Sequence, residues 1–118
     1  MINIDPGKME ECADICHQCE DACLRTSVHC LDMGGEHASR HHQVMLQDCA
    51  TICAASHSLL HRLSPLHHHT CRACAEICRA CADECDRLAG TDKQMLECAR
   101  VCRWCAESCE RMAATAGV

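Results

Sequence analysis

The sequence contains no Phe and no Tyr, and Trp104 is its only aromatic residue. Its 118 residues are the length of one ordinary domain. A core without large side chains forgoes much of the ~1.5–3 kcal/mol that each buried Leu, Ile or Phe contributes, so something other than hydrocarbon has to fill the interior. No apolar run reaches the ~18 residues of a membrane span, which excludes a membrane partner of that kind. The segment Met1 to Pro6 has neither a positively charged region nor an apolar stretch. No signal peptide is therefore expected, and the chain reads as cytoplasmic. Positive charge is also short, with 11 Lys and Arg against 17 Asp and Glu and a net charge of −6. Nucleic acid is excluded as a partner, because phosphate binding requires a basic face.

What the chain has instead is cysteine, 16 residues of it. Chains this rich in cysteine are disulfide scaffolds in oxidising compartments or metal binders in reducing ones, and the missing export signal favours the second.

The cysteines follow an internal repeat. It reads Cys12-Ala13-Asp14-Ile15-Cys16, Cys49-Ala50-Thr51-Ile52-Cys53, Cys74-Ala75-Glu76-Ile77-Cys78 and Cys98-Ala99-Arg100-Val101-Cys102. In three copies further cysteines follow at +3 and +7: Cys19 and Cys23, Cys81 and Cys85, Cys105 and Cys109. The second copy has Ser56 and Leu60 at those places. Alternating steps of four and three put Cys12, Cys16, Cys19, Cys23 and Cys30 on one stripe of a helix. The same holds for Cys71, Cys74, Cys78, Cys81 and Cys85, and for Cys98, Cys102, Cys105 and Cys109. Four copies at irregular spacing indicate four equivalent helices rather than a regular solenoid.

The few helix breakers agree with this division. Asp5-Pro6 and Ser64-Pro65 each read as an N-cap followed by Pro at the first helical position. Gly34-Gly35 and Gly90 end helices, and Thr91 with Gln94 reads as a capping box. The predicted helices cover roughly 6–33, 39–62, 65–88 and 92–112. Short connections make neighbours antiparallel. The expected fold is all-α, an up-down-up-down antiparallel four-helix bundle with a cysteine-lined core, with 1–118 as a single domain.

Packing alone does not explain so many cysteines on inward positions, although a buried thiol is a serviceable small hydrophobe. Disulfides between i and i+4 on one helix are disfavoured by nearly parallel Cβ directions, and a reducing compartment disfavours a full set across helices. Metal binding remains. Pairs at i,i+3 and i,i+4 lie ~5–6 Å apart at Cβ, so a small rotamer change brings two sulfurs to the ~4.5 Å that a linear thiolate site needs at bonds of about 2.3 Å. That geometry suits soft Cu(I). Charge agrees: one Cu(I) per bridging thiolate leaves the column neutral, whereas tetrahedral Zn(II), one ion per four thiolates, offsets only half the charge. Zinc would further require four cysteines to converge from different helices, where the spacing supplies pairs along single ones. Iron–sulfur runs and the Glu-x-x-His pairs of di-iron bundles are absent. No activated nucleophile, acid–base pair or phosphate loop suggests an enzyme, and a buried, repeated thiol seam is unlike an exposed reactive cysteine. A zinc-binding or metallothionein-like structural or detoxification protein is the alternative.

These motifs, from about Glu11 to Met112, resemble the four-helix-bundle copper storage proteins, and the lack of an export signal resembles their cytosolic branch. The resemblance implies a store of Cu(I), roughly one ion per cysteine, held by thiolates inside the bundle. It also implies a homotetramer, copper delivered by a copper chaperone, and an open end with His or Met near the mouth. The chain differs from the cytosolic pattern there: no His occurs between Asp86 and Glu97, where Leu88 and Met95 stand, and His42 occupies the seam position seven before Cys49.

The expected metal ligands are all 16 cysteines together with His42 and Met45. Up-down-up-down topology collects Cys30, Met33, His37, His41, His42, Met45 and Met95 at one end. Met9, His57, His61, His67, His68, His69 and Met112 gather at the other. The first is expected to admit copper, since His42, Met45 and Cys49 continue one inward stripe. Leu60, Leu63 and Leu66 are expected to plug the second, with at most His67 of the His triplet near the axis. His17 and His29 are expected at the surface. Trp104 with Ile15, Ile52, Ile77 and Val101 would form either an outer strip for subunit contact or cover over a gap between helices.

Overall fold

The computed structural model describes residues 5–115, and of Thr115 only the backbone. The reading of Met1 to Ile4 lies outside the described residues. Four helices follow in order: α1 (Pro6–Met33), α2 (Arg40–His61), α3 (His67–Ala89) and α4 (Lys93–Thr115), with one 3-10 turn at Gly35–Ala38. Helix α1 packs against α2 and α4, and α3 packs against the same two. The four thus form the antiparallel square bundle expected from the short connections, 48 × 20 × 19 Å.

Helix ends have local causes. Asp5 caps α1, its Oδ1 accepting from the Lys8 amide at 3.1 Å, with Pro6 in the first turn. Gly34, at φ 74°, closes that helix, and its amide donates to the Cys30 carbonyl at 3.2 Å. Ser39 caps α2 through its Oγ and the His42 amide, 3.2 Å.

Two sequence-derived caps are corrected. The α4 cap is Asp92, not Thr91: its Oδ1 accepts from the Met95 amide at 2.9 Å. Gln94 instead reaches across to the buried Thr26 hydroxyl on α1, at 3.0 Å. Nor does Ser64-Pro65 open α3, which begins two residues later at His67. Ser64 belongs to the end of α2, its amide donating to the Leu59 carbonyl at 3.0 Å, while Leu63 takes the left-handed φ of 54°. That is a Schellman-type closure with leucine where glycine is usual.

All 16 cysteines are buried and free. The alanines that follow the first cysteine of each repeat, Ala13, Ala50, Ala75 and Ala99, are buried too. A methyl group at these flanking positions lets the helices approach until the thiols meet in the middle. The large apolar residues Met9, Leu46, Leu60 and Met95 are fully buried. The expected leucine plug is reduced to one residue, because Leu63 and Leu66 are 40% and 56% exposed. The expected outer strip does not form either. Ile15 and Val101 are buried within the bundle, Ile52 and Ile77 pack partly against the core, and Trp104 sits half-exposed over a shallow groove with Leu96, Arg100, Arg103 and Glu107.

Candidate metal centre

The seams of the four helices meet as a column of sulfur. Along it run Cys12–Cys109 at 3.8 Å, Cys16–Cys109 at 3.5 Å, Cys16–Cys105 at 3.8 Å, Cys74–Cys105 at 3.9 Å and Cys53–Cys74 at 3.8 Å. It continues through Cys53–Cys78 at 3.7 Å, Cys49–Cys78 at 3.6 Å, Cys19–Cys102 and Cys23–Cys102 both at 3.7 Å, and Cys23–Cys98 at 4.0 Å. These are contacts between thiols. An ion bound linearly holds its two sulfurs about 4.5 Å apart at bonds of about 2.3 Å, so admitting one asks the pairs to spread by about 0.5–1 Å, which rotamer adjustment supplies.

The close pairs differ from the spacing-based expectation. Cys74–Cys78, at 3.7 Å, lies along one helix, but the others just named join different helices. Thiols also converge in fours, as Cys16, Cys74, Cys105 and Cys109; Cys19, Cys53, Cys78 and Cys105; and Cys19, Cys23, Cys49 and Cys102, each set within 4.8 Å. The second set takes one cysteine from every helix. Zinc is therefore not excluded by a lack of convergence, as the sequence suggested; the charge imbalance still weighs against it. The reason is antiparallel packing, which interleaves the seams so that a sulfur's nearest neighbour is on the facing helix.

Burial and mutual hydrogen bonding set the protonation. Cys102 is held well above the usual thiol range, first by its contacts with Cys19, Cys23, Cys49 and Cys81 and then by burial. The Cys102 thiol therefore stays neutral until a metal displaces its proton.

The end bearing His42 carries soft ligands of other kinds. Cys30 Sγ lies 3.2 Å from His42 Nε2. Burial, with the charges of Asp92 and Cys98 behind it, pushes the Cys30 thiol up to about 11. Burial lowers the His42 pKa, so the ring is neutral and has a lone pair to offer. Its Nδ1 is buried without a hydrogen-bond partner and lies 3.8 Å from Glu84 Oε1. The Glu84 carboxyl is held below its ordinary range by its hydrogen bonds from Arg87, the nearer at 2.6 Å, despite burial. His37 Nδ1 meets Met95 Sδ at 3.0 Å. Met45 is only partly buried, beside the seam: the inward residue of that turn is Leu46. Met33 is 45% exposed and His41 points outward to Glu84, 3.4 Å away. His17 is exposed as expected, whereas His29 is half-buried and paired to Asp92 at 2.8 Å.

At the opposite end Cys12, Cys71 and Cys109 form a set of three. His67 is fully buried there, while His57 donates Nδ1–H to the Ala13 carbonyl, 3.0 Å. Sequence reading missed Thr26, fully buried on the seam and legible by its phase between Cys23 and Cys30; Ser56, expected where other copies have cysteine, is fully buried too. Glu84, one residue before Cys85, had no such signal.

A sequence profile described as the copper storage protein family matches residues 5–114. The chain belongs to the copper storage protein family. Among solved structures, a protein from Nitrosospira multiformis is 40% identical with a TM-score of 0.86, over 93% of this chain and 98% of its own. The Cu(I)-bound copper storage protein BsCsp3 is 32% identical, TM-score 0.82, over 90% and 98% of the two chains. A cytosolic copper storage protein from Streptomyces lividans, studied during copper loading, is 30% identical, TM-score 0.83, over 92% and 94%. No curated protein matches the chain. Family membership accounts for a column of free thiols better than any catalytic reading does, since the family is one of storage.

Proposed function

We propose that this chain stores and buffers copper in the cytoplasm, taking roughly one Cu(I) per cysteine into the bundle. The single observation that carries the reading is the column of thiols: all 16 cysteines are buried and free, and twelve of them stand 3.5–4.0 Å from another thiol along the contacts above. A column serves capacity; an active site needs one exposed group of tuned pKa, and we read the chain as having no enzymatic role. The ligands are all 16 cysteines. His42, with its neutral ring against Cys30, and Met45 beside it receive copper at the mouth and pass it inward, while solvated His41 and half-buried His37 stand outside them.

The cytoplasmic assignment is supported by the Streptomyces lividans relative, described as cytosolic. No described helix is long and apolar enough to cross a membrane. Assembly as a homotetramer is supported by an apolar stripe on the outer face of α1, where Leu24, Val28 and Leu31 are 42%, 61% and 55% exposed at helical spacing. Delivery by a copper chaperone fits a mouth built of exchangeable ligands, and the whole chain, 1–118, acts as one domain.

Anaerobic titration of reduced protein with Cu(I) against a competing chelator tests the reading. About 16 equivalents per chain are expected from one ion per thiolate. A capacity of about four or fewer, or a preference for about four Zn(II), overturns it.

A further inference from the structure

The far end of the column differs from the rest in one respect. Three sets of close thiols have four members each, but the terminal set, Cys12, Cys71 and Cys109, has three. Helix α2 offers no thiol at that level, because its seam continues from Cys53 through Ser56 to Leu60, both fully buried. His67 stands one turn before Cys71 on the same helix face, ~5–6 Å away at Cβ.

The His67 ring is fully buried. Its Nδ1 is 2.9 Å from the Ser64 carbonyl, which can only accept, so Nδ1 carries the proton and Nε2 a lone pair. That Nε2 is buried without a hydrogen-bond partner. A backbone carbonyl holding one ring nitrogen while the other waits unpaired is the arrangement that orients metal-ligating histidines. A buried imidazole nitrogen left unsatisfied is unfavourable, and a soft metal ion would relieve it.

We propose that, on a side-chain adjustment that brings its Nε2 to the terminal thiols, which stand together without it in the metal-free structure, His67 joins Cys71 and Cys12 to hold a terminal Cu(I) ion at the end of the bundle remote from His42. Binding displaces the two thiol protons to solvent and changes no oxidation state. The neutral imidazole completes the ligand set without a further negative charge, so the column ends in a nitrogen ligand at both extremities. This site rests on the storage reading and extends it to a residue outside the cysteine repeat.

The test is long-range nitrogen–proton NMR of the histidine rings in the reduced full-length chain, recorded during anaerobic Cu(I) titration, alongside the capacities of His67→Leu and His67→Met. Expected are a His67 tautomer protonated on Nδ1 in the metal-free protein and an upfield move of its Nε2 resonance on loading. His67→Leu should lose about one Cu(I) equivalent and His67→Met, which keeps a soft ligand, should retain it. An Nε2 resonance unmoved in wild-type protein that has filled its thiolates overturns the proposal and leaves storage standing. Loss of several equivalents in both variants also overturns it, marking His67 as structural. Wild-type protein that takes up no copper ends the storage reading, and this site with it.

Discussion

The two ends of the bundle hold similar atoms and treat them differently. Around His42 the ligands are mixed with charge: Glu84, Arg87, Asp92 and solvated His41 surround Cys30 and Met95. At the end that holds His67 the buried apolar residues include Met9, Leu60 and Met112. An ion arriving from water meets charged groups and exchangeable ligands at the first end; at the second, exposed His61 and His69 stand outside a buried layer of hydrocarbon. The contrast teaches that soft donors alone do not make a mouth; a mouth also needs groups that hold water and charge beside them.

The largest expected effect concerns the column that joins the ends. Each site saturated to about 100 times its dissociation constant adds about 2.7 kcal/mol to the folded state, so filling many should raise the thermal midpoint by tens of degrees. The metal-free, reduced protein should nevertheless remain helical, since Leu46, Leu60, Met9, Met95 and the caps persist without metal. Circular dichroism of the apo chain showing mostly coil would sink this expectation.

Next in size is Leu60→Ala, which removes the one leucine closing the dry end. A loss of about 2–5 kcal/mol is expected in the apo protein, read by denaturant melts. The same deletion at exposed Leu63 should cost little, and equal losses at both would restore the three-leucine plug.

Loading kinetics separate the ends more directly. Replacing His42 and Met45 together by Ala should slow Cu(I) uptake roughly tenfold, a barrier change of about 1.4 kcal/mol, and leave the thiolate capacity intact. Replacing His67, His68 and His69 together should leave the rate unchanged. Stopped-flow absorbance in the thiolate-to-copper band reads both, and the reverse pattern would place the mouth at the other end.

A smaller effect follows pH. Burial lowers the His42 pKa from 6.5 in the folded chain. Above about pH 6.5 the ring is neutral in both states and costs nothing. As pH falls below that value the unfolded chain takes up the proton first, so the folded apo protein loses stability. His42→Leu should weaken this acid loss relative to wild type, as measured by melts at pH 7.5 and 5; identical slopes would show that the ring titrates freely.

The smallest change is expected from Leu63→Gly. A left-handed leucine costs about 1–2 kcal/mol, offset in part by the added freedom of glycine in the unfolded chain. A net gain below ~1 kcal/mol is anticipated; a loss would show that the half-exposed Leu63 side chain packs more tightly than its exposure suggests.

Much of this was legible in the residues. The four-three spacing of Cys12, Cys16, Cys19 and Cys23 has one explanation in a helix, and Gly34 and Gly90 ended their helices where expected. Ends involving competing acceptors were not legible: Asp92 and Thr91 are adjacent, both are good caps, and the contest was settled by Thr26 drawing Gln94 away. Leu60, Leu63 and Leu66 look equivalent in the sequence, but the left-handed turn at Leu63 carries the chain outward and leaves two of them in water.

By itself the sequence determined the helices, their number and the burial of every cysteine, because helical periodicity is local and a seam of thiols has only the interior to face. Which sulfurs meet was decided by the tertiary structure. Pairs along one helix were expected from spacing, yet Cys19 meets Cys78 and Cys102, and Cys53 meets Cys74, since antiparallel packing sets the stagger of one seam against the next. The role of His67 is of the same kind: its phase is in the sequence, but its buried, unpaired nitrogen exists only once the Ser64 carbonyl has turned to hold the ring.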